Sequence, residues 1–197
     1  MCGISGFVDF AKKSSAEHLK KMSDTLVHRG PDGDGYHFNE TTKATIGLAH
    51  RRLSIIDLSE GGKQPQTFEH LTITYNGEIY NYQEIKYRLI QKGHSFSSHS
   101  DTEVILHGFM EWGPAVVDQC IGMFAFVIHD TKNNQLFCCR DRAGVKPFFY
   151  YHTNDIFLFA SELKAILAHP AFVKELNRDA VGAYLQFGYV PHTALHL

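Results

Sequence analysis

Two pairs of neighbouring apolar segments limit most strongly what this chain can fold into. The first pair, MFAFVIHD and LFCCRD, is joined by the turn DTKNNQ, and the second, FFYYH and IFLFAS, by a turn around Asn154-Asp155. Runs rich in aromatic and β-branched residues that are joined by such turns are typical of β-hairpins. The second half of the chain is therefore predicted to form two antiparallel hairpins of buried strands.

Further strands and a helix are predicted in the first half of the chain. Residues 4–10 and 46–50 are short apolar runs, and LTITY (71–75) alternates apolar and polar side chains as a half-buried strand does. Ser14 and Glu17 match a helix-capping box, and apolar residues follow them at helical spacing. This first helix is predicted to lie between the first two strands.

A stretch rich in glycine, HRGPDGDG, follows the first helix and is predicted to be a loop. Other helices are predicted after Asn81, from SDTE onward and over residues 177–187. Antiparallel strands with helices grouped around them indicate an α+β fold with packed sheets.

Charge and hydropathy exclude several classes of protein. The 197 residues include 19 Lys and Arg against 21 Asp and Glu, a formal net charge of −2, which is unlike a non-specific nucleic-acid binder. The longest apolar run, 123–128, suits a buried strand and is too short to span a membrane. The first residues lack the basic and apolar regions of a secretory signal, so we expect a cytoplasmic protein.

The cysteines and histidines do not indicate a metal site or a disulfide framework. The four cysteines are Cys2, Cys120, Cys138 and Cys139, with no C-x-x-C pair, and the 13 histidines are scattered. Because Cys138 and Cys139 alternate across a predicted strand, only one of them is expected to face the core, and neither is a candidate nucleophile.

Cys2 has two interpretations. If Met1 is removed, Cys2 carries a thiol and a free α-amine, and one residue then supplies both nucleophile and base. An α-amine has a pKa of roughly 7.7–8.0, so part of it is unprotonated near neutral pH. On position alone, a small residue that begins a buried strand is the favoured interpretation.

Three other positions each have one structural and one chemical interpretation. Asn76-Gly77 is a strong hairpin-turn signal, but an amide side chain and a glycine N–H also suit an oxyanion hole. Asp101 suits a helix N-cap or a site for a substrate ammonium. Arg52 suits a surface ion pair or a bidentate site for a carboxylate. Periodicity does not separate these alternatives.

Eight motifs taken together resemble a known family. In chain order they are MCGI, HRGPD, HRRLSIID, YNGEIYN, SDTEVIL, GMFAF, RDRAGVKPFFYY and FASELKA. This series resembles the glutaminase domain of asparagine synthetases, a class II glutamine amidotransferase. The resemblance implies a four-layer αββα sandwich of two antiparallel sheets, of the N-terminal-nucleophile hydrolase type. It implies a glutaminase domain over residues 1–191, with 192–197 as the start of a linker.

The resemblance also implies which residues are catalytic. Cys2 corresponds to the nucleophile that becomes the first residue when Met1 is removed. Asn76 and Gly77 correspond to the oxyanion hole. Glutamine hydrolysis would then pass through a γ-glutamyl thioester on Cys2.

A second group of positions is implied to bind glutamine. Arg52 corresponds to the residue that holds the α-carboxylate, and Glu78 and Asp101 correspond to acidic positions near the α-amino group. The implied pocket wall beside the arginine is Leu53, Ser54, Ile55 and Ile56.

The implied reaction is hydrolysis of L-glutamine to glutamate and ammonia, without a metal or cofactor in this domain. In the family, ATP and Mg²⁺ act in a following synthetase domain that converts aspartate to asparagine. The sequence contains no match to the Ser-Gly-Gly-x-Asp-Ser loop of that domain, so we expect this chain to be a fragment. The expected partners are glutamine and the C-terminal synthetase domain of a full-length chain, with a homodimer as the candidate assembly and neither nucleic acid nor membrane as a partner.

Three alternatives stay open. The acceptor of the ammonia is aspartate or another carboxylate, such as that of a sugar acid. The domain could also be an N-terminal-nucleophile hydrolase of a different amide, although the pair Arg52 and Asp101 favours an amino-acid substrate. If Met1 is retained, a non-catalytic module with the same fold is expected.

Overall fold

Two antiparallel β-sheets lie at the centre of the computed structural model, which describes residues 1–53 and 62–190. The strands are β1 (Gly3–Asp9), β2 (Gly33–Glu40), β3 (Thr45–Arg52), β4 (Gln66–Phe68), β5 (Leu71–Ile79), β6 (Gly122–Asp130), β7 (Gln135–Arg140), β8 (Phe149–His152) and β9 (Ile156–Ala160). The larger sheet has the order β2-β3-β1-β9-β8, and the smaller sheet has the order β4-β5-β6-β7.

The described ranges contain six α-helices, four of which cover the outer faces of the sheets. They are α1 (Ala16–Asp24), α2 (Tyr82–Gln91), α3 (Asp101–Trp112), α4 (Val116–Gln119), α5 (Leu163–Leu167) and α6 (Arg178–Phe187). Helices α1 and α5 pack on the larger sheet, and α2 and α3 pack on the smaller one. The order helix, sheet, sheet, helix confirms the expected four-layer sandwich. Among the helices of the described ranges, none has the length and apolar character needed to cross a bilayer.

Three apolar clusters hold the layers together. Phe7 and Leu19 belong to the cluster between α1 and the larger sheet, and Ile73 and Ile105 belong to the one between α3 and the smaller sheet. A third cluster, which includes Leu48, lies between the two sheets. Burying one such side chain contributes about 1.5–3 kcal/mol, so the clusters supply most of the driving force for stacking the layers.

The two predicted hairpins are confirmed. Strands β6 and β7 pair from Ala125↔Arg140 to Asp130↔Gln135, and β8 pairs with β9. The strands predicted over residues 4–10, 46–50 and 71–75 are also present as β1, β3 and β5, each with slightly different ends.

The hairpin-turn interpretation of Asn76-Gly77 is wrong. Both residues lie inside β5, where Asn76 pairs with Ala125 and Gly77 with Phe124. Strand β6 pairs with β5 along its whole length, and this long-range pairing overrides the local turn preference of the Asn-Gly sequence.

The predicted end of the loop HRGPDGDG is wrong, because the last three residues of this stretch belong to β2, which begins at Gly33. Strand β2 is at the edge of the larger sheet and is held by backbone pairing with β3, as in Gly33↔Arg52. Its first residues bury few side chains, so no apolar alternation marks it in the sequence. The short strand β4 was not predicted either.

The predicted capping box of Ser14 and Glu17 is also wrong by one position. The N-cap of α1 is Ser15, whose backbone N–H donates to Nδ1 of His18 at 3.2 Å. Ser14 instead donates from both its backbone N–H and its hydroxyl to Asp9 Oδ2, at 2.6 Å each. The carboxylate of Asp9 competes for Ser14 and shifts the start of the helix.

Cys138 and Cys139 both contact apolar residues, on opposite faces of β7. Cys138 packs against the cluster between the sheets, and Cys139 packs against the cluster under α3. The expectation that only one of them faces the core is wrong, because a strand inside a four-layer sandwich is covered on both faces.

A close approach of β1 to its neighbours makes Gly6 sensitive to substitution. A Cβ at Gly6 would lie 2.3 Å from the carbonyl oxygen of Gly47 and 2.5 Å from Phe159 Cζ. We expect Gly6→Ala to lower the free energy of unfolding by about 1–3 kcal/mol, measured by urea denaturation. Gly182→Ala is the control: a Cβ there has no atom within 4 Å, and the loss of a helical glycine should stabilise by about 0.5–1 kcal/mol. Equal effects of the two substitutions on the free energy of unfolding would contradict the close approach of Gly6 to Gly47 and Phe159.

Candidate active site

The start of β1, the end of β3 and the middle of β5 meet at one end of the space between the sheets. They line a cavity of about 230 Å³. Every predicted site residue that the structure describes lines it: Cys2, Arg52, Leu53, Asn76, Gly77, Glu78 and Asp101. The predicted pocket-wall residues Ser54, Ile55 and Ile56 lie outside the described residues.

The pairing of strands explains why these distant residues converge. Gly3 pairs with Arg51, so the first residues of the chain lie beside the end of β3. On the opposing sheet, the Thr74 hydroxyl donates to the carbonyl oxygen of Ala49 at 3.1 Å, so this side of β5 faces the larger sheet. Asn76 is two residues further along β5 and therefore has its side chain on the same face.

Cys2 is held at both its side chain and its backbone. The backbone N–H of Leu53 lies 3.4 Å from Cys2 Sγ and donates to it, and Arg29 Nε donates to the Cys2 carbonyl oxygen at 3.0 Å. The thiol in turn donates to the carbonyl oxygen of Leu53 at 3.6 Å, so Leu53 holds the sulfur from both sides and Arg29 fixes the direction in which the chain leaves the site.

Arg29 is itself fixed by an ionic cluster with Glu162. Arg29 Nη1 and His28 Nε2 lie 3.0 and 2.9 Å from Glu162 Oε1, and Lys164 Nζ lies 3.1 Å from Oε2. Partial burial opposes the charge of Glu162, but hydrogen bonds from these three residues prevail and lower its pKa to about 2. The cluster links the motifs HRGPD and FASELKA directly behind Cys2.

The side-chain amide of Asn76 is buried and unused. Asn76 is 2% exposed, and Nδ2 has no hydrogen-bond partner within ranges 1–53 and 62–190. A buried donor without an acceptor costs about 1–3 kcal/mol, and an acceptor atom of a ligand in the cavity would offset that cost. The amide N–H groups of Asn76 are therefore available to a ligand in the cavity.

Gly77 lies at a partly uncovered edge of β5. Strand β4 pairs only with residues 71–73 of this edge, and further along it Tyr75 N–H donates to Gln64 Oε1 at 2.6 Å and Ile79 N–H to Asp101 Oδ2 at 3.0 Å. Backbone N–H groups on one edge of a strand recur at every second residue, so the N–H of Gly77 points out of the same edge between them.

Asp101 is not the N-cap of α3, so that interpretation is wrong. Ser100 is the N-cap and accepts a hydrogen bond from Thr102 N–H at 3.2 Å, whereas Asp101 is the first residue of the helix. The carboxylate of Asp101 accepts a 2.6 Å hydrogen bond from the Tyr75 hydroxyl. Burial raises the pKa of Asp101 above its ordinary value, so a cationic ligand group nearby would restore the charged form.

Several residues that line the cavity were given no site role from the sequence. Gln64 bridges Tyr75 and Thr102, since its Nε2 donates to Thr102 Oγ1 at 3.2 Å. His50 is 1% exposed, and burial lowers its pKa to about 3, so its ring is neutral. Lys146 also lines the cavity. His50 and Lys146 belong to motifs that the sequence singled out, HRRLSIID and RDRAGVKPFFYY, whereas Gln64 lies outside these motifs.

Comparison with known proteins identifies the family. A family model described as a glutamine amidotransferase domain matches residues 1–196. The chain belongs to this family. The glutamine amidotransferase domain is 43% identical to asparagine synthetase [glutamine-hydrolyzing] 3 of Bacillus subtilis, over 95% of the chain and 31% of that relative. It is 41% identical to a putative asparagine synthetase [glutamine-hydrolyzing] 2 of Methanocaldococcus jannaschii, over 97% of the chain and 40% of that relative.

The fold of the domain also matches that of a solved structure. Glutamine phosphoribosylpyrophosphate amidotransferase from B. subtilis superimposes with a TM-score of 0.72 at 20% sequence identity, over 85% of this chain and 43% of that one. This likeness confirms the N-terminal-nucleophile type of sandwich. The domain spans less than half the length of the two synthetase relatives.

The ionic cluster behind Cys2 predicts a pH dependence of stability. The folded pKa of Glu162, about 2, is below its ordinary value of 4.5, so its contribution is complete above pH 4.5 and is lost as the pH falls towards 2. We expect Glu162→Gln to lower the free energy of unfolding at neutral pH and the difference from wild type to shrink through this window. Urea denaturation at several pH values measures it.

Glu17→Gln is the matched control for this prediction. Glu17 pairs with Lys21 at 2.8 Å on the exposed face of α1, where solvent screens the pair, so its loss should have little effect. A difference between Glu162→Gln and wild type that is constant with pH would contradict the ionic role of Glu162.

Proposed function

We propose that this domain hydrolyses L-glutamine to glutamate and ammonia with Cys2 as an N-terminal nucleophile. The observation that carries the proposal is the buried, unpartnered amide of Asn76 in the same cavity as the Cys2 thiol. An amide N–H aimed at a reacting carbonyl stabilises the oxyanion that forms when a thiolate attacks it. Membership of the glutamine amidotransferase family supports glutamine as the substrate.

The two charged ends of the glutamine head group have partners in the cavity. The planar guanidinium of Arg52 suits the α-carboxylate, which it can bind in a bidentate manner. Asp101 and Glu78 are the acidic groups that would receive the α-ammonium. Binding of that ammonium would also offset the cost of keeping Asp101 charged in a buried position.

Removal of Met1 is part of the proposal. Met1 lines the cavity and is 55% exposed, so it is accessible to a peptidase. Once it is gone, the α-amine of Cys2 accepts the thiol proton, and the thiolate attacks the glutamine side-chain carbonyl carbon. Asn76 Nδ2–H and Gly77 N–H receive the oxyanion.

The remaining steps return the enzyme to its starting state. The α-ammonium of Cys2 gives its proton to the leaving nitrogen, ammonia departs, and a γ-glutamyl thioester stays on the sulfur. The α-amine then takes a proton from water, and the resulting hydroxide attacks the thioester. Glutamate leaves, and the thiol of Cys2 is regenerated.

We also propose that the ammonia serves an amidation in a longer protein. Two relatives are named as glutamine-hydrolysing asparagine synthetases, which supports aspartate as the acceptor and a synthetase domain as the partner. ATP and Mg²⁺ would belong to that second reaction, and the glutamine hydrolysis uses neither. A relative named amidase chry2 of Gibberella zeae, 35% identical over 85% of this chain and 26% of that protein, supports hydrolysis of a different amide as the second candidate.

Substitution of the nucleophile tests the reaction. We expect Cys2→Ala to abolish release of ammonia from glutamine without a change in the thermal unfolding midpoint, and wild type to act on other amides far more slowly. Cys139→Ala removes a half-buried thiol outside the cavity and should retain activity. An active Cys2→Ala protein would disprove the nucleophile, and equal turnover of an acyl amide would favour a hydrolase of another substrate. Mass spectrometry of wild type must show that Met1 is absent; its retention would favour a non-catalytic module.

Substitution of Asn76 tests the oxyanion hole. We expect Asn76→Ala to lower kcat about 10²–10³-fold with little change in glutamine binding, because the lost donor acts only in the transition state. Steady-state glutaminase kinetics measure this, and Asn154→Ala, an exposed turn residue, is the control. Full turnover in Asn76→Ala would show that the oxyanion is stabilised elsewhere.

A further inference from the structure

The loop after β7 is held rigidly by two charged residues of the motif RDRAGVKP. The Asp141 carboxylate accepts hydrogen bonds from the backbone N–H groups of Phe124, Val145 and Lys146, at 3.3, 2.8 and 2.9 Å. Arg140 donates from Nε to the carbonyl oxygen of Lys146 at 2.8 Å. These contacts fix the backbone at Lys146 from both sides.

A tight turn within this loop completes its geometry. Gly144 has φ of +65°, a conformation that favours glycine, and its carbonyl oxygen accepts a hydrogen bond from Arg140 Nη2 at 2.7 Å. The turn reverses the chain two residues before Lys146, and Lys146 then lines the cavity.

Lys146 is a buried cation at the active site. It is 6% exposed, it lines the same cavity as Cys2, and its Nζ lies 3.4 Å from Met1 Sδ. Over the part of the chain that the structure describes, Lys146 forms no ion pair with a carboxylate. Burial of an unpaired ammonium costs free energy, so a function for Lys146 at the start of the chain would explain why it is there.

We propose that Lys146 is a positioning residue that, once Met1 has been removed, keeps the α-amine of Cys2 free to accept the thiol proton and stabilises the thiolate that this transfer produces. This inference rests on the proposed function, since it assumes that Cys2 becomes the first residue. A nearby cation disfavours a second ammonium and favours a thiolate, so both effects prepare the nucleophile and its base at neutral pH.

Other charged and titratable groups also face this end of the cavity. They are Arg29, His50, Arg52, Glu78 and Asp101. Arg29 is balanced by Glu162, and Asp101 is held by the Tyr75 hydroxyl. His50 is neutral. Arg52 and Glu78 are assigned to the two ends of the glutamine head group, which leaves Lys146 as the charge directed at the chain start.

Alkylation of Cys2 by iodoacetamide at a series of pH values tests the proposal without glutamine. Wild type is compared with the neutral variants Lys146→Met and Lys146→Gln and with the charge-retaining variant Lys146→Arg. We expect the alkylation midpoint to move to higher pH by about 1–3 units in the neutral variants and to stay near the wild-type value in Lys146→Arg. The acidic limb of kcat/KM for glutamine should move by the same amount.

The other thiols do not interfere with this measurement. Burial raises the pKa of Cys120 and of Cys138 to about 12 and that of Cys139 to about 11, so these thiols react slowly near neutral pH. Cys2→Ala gives their background rate. Mass spectrometry establishes first that Met1 is absent from every variant that is compared.

The outcomes separate this inference from the proposed function. An unchanged midpoint in either folded neutral variant would overturn the role of Lys146, whatever the activity. If neither neutral variant folds, the charge is a folding requirement and the proposal is overturned as well. A wild type that lacks Met1 but does not hydrolyse glutamine contradicts the proposed function, and the alkylation comparison still decides the role of Lys146.

Discussion

The backbone pairing of β1 with β3 is the constraint on which the rest of the structure depends. It holds the first residues of the chain inside the larger sheet, with Gly3 opposite Arg51, instead of leaving them to fray as chain ends usually do. Cys2, directly before β1, is therefore held beside the end of β3. The apolar clusters on both faces of the sheet and the ionic cluster at Glu162 fix this arrangement further.

The cavity combines polar groups that are costly on their own. An amide without an acceptor at Asn76, a buried lysine at position 146 and a carboxylate at Asp101 whose pKa is raised by burial would each destabilise the fold. The proposed glutamine hydrolysis would give each of them a counterpart: an oxyanion, a thiolate and an ammonium. The destabilised groups and the proposed chemistry thus explain each other, and the surrounding layers carry the energetic cost.

Local patterns predicted the hairpins, the α+β class and most of the strands, because alternation and turn residues act over a few neighbours. Local patterns failed at Asn76-Gly77, where pairing with a strand some 50 residues away decides the structure. They also failed at β2, which is held by backbone hydrogen bonds to β3 and shows no side-chain alternation. The resemblance of the motifs located Cys2, Arg52, Asn76 and Asp101. The sequence did not give roles to Gln64, Arg29 or Lys146, because their partners are far away along the chain.

The short length of β4 has a consequence for the behaviour of the whole protein. An uncovered strand edge is a place where a foreign strand can add, and it is a common starting point for aggregation. Here side-chain oxygens of Gln64 and Asp101 accept hydrogen bonds from the backbone N–H groups of Tyr75 and Ile79, and the N–H of Gly77 lies between them without a partner among the described residues. The same two side chains therefore protect the sheet edge and, in the proposed reaction, would define the opening that receives the substrate carbonyl. Resistance to aggregation and the shape of the site would then depend on the same two residues.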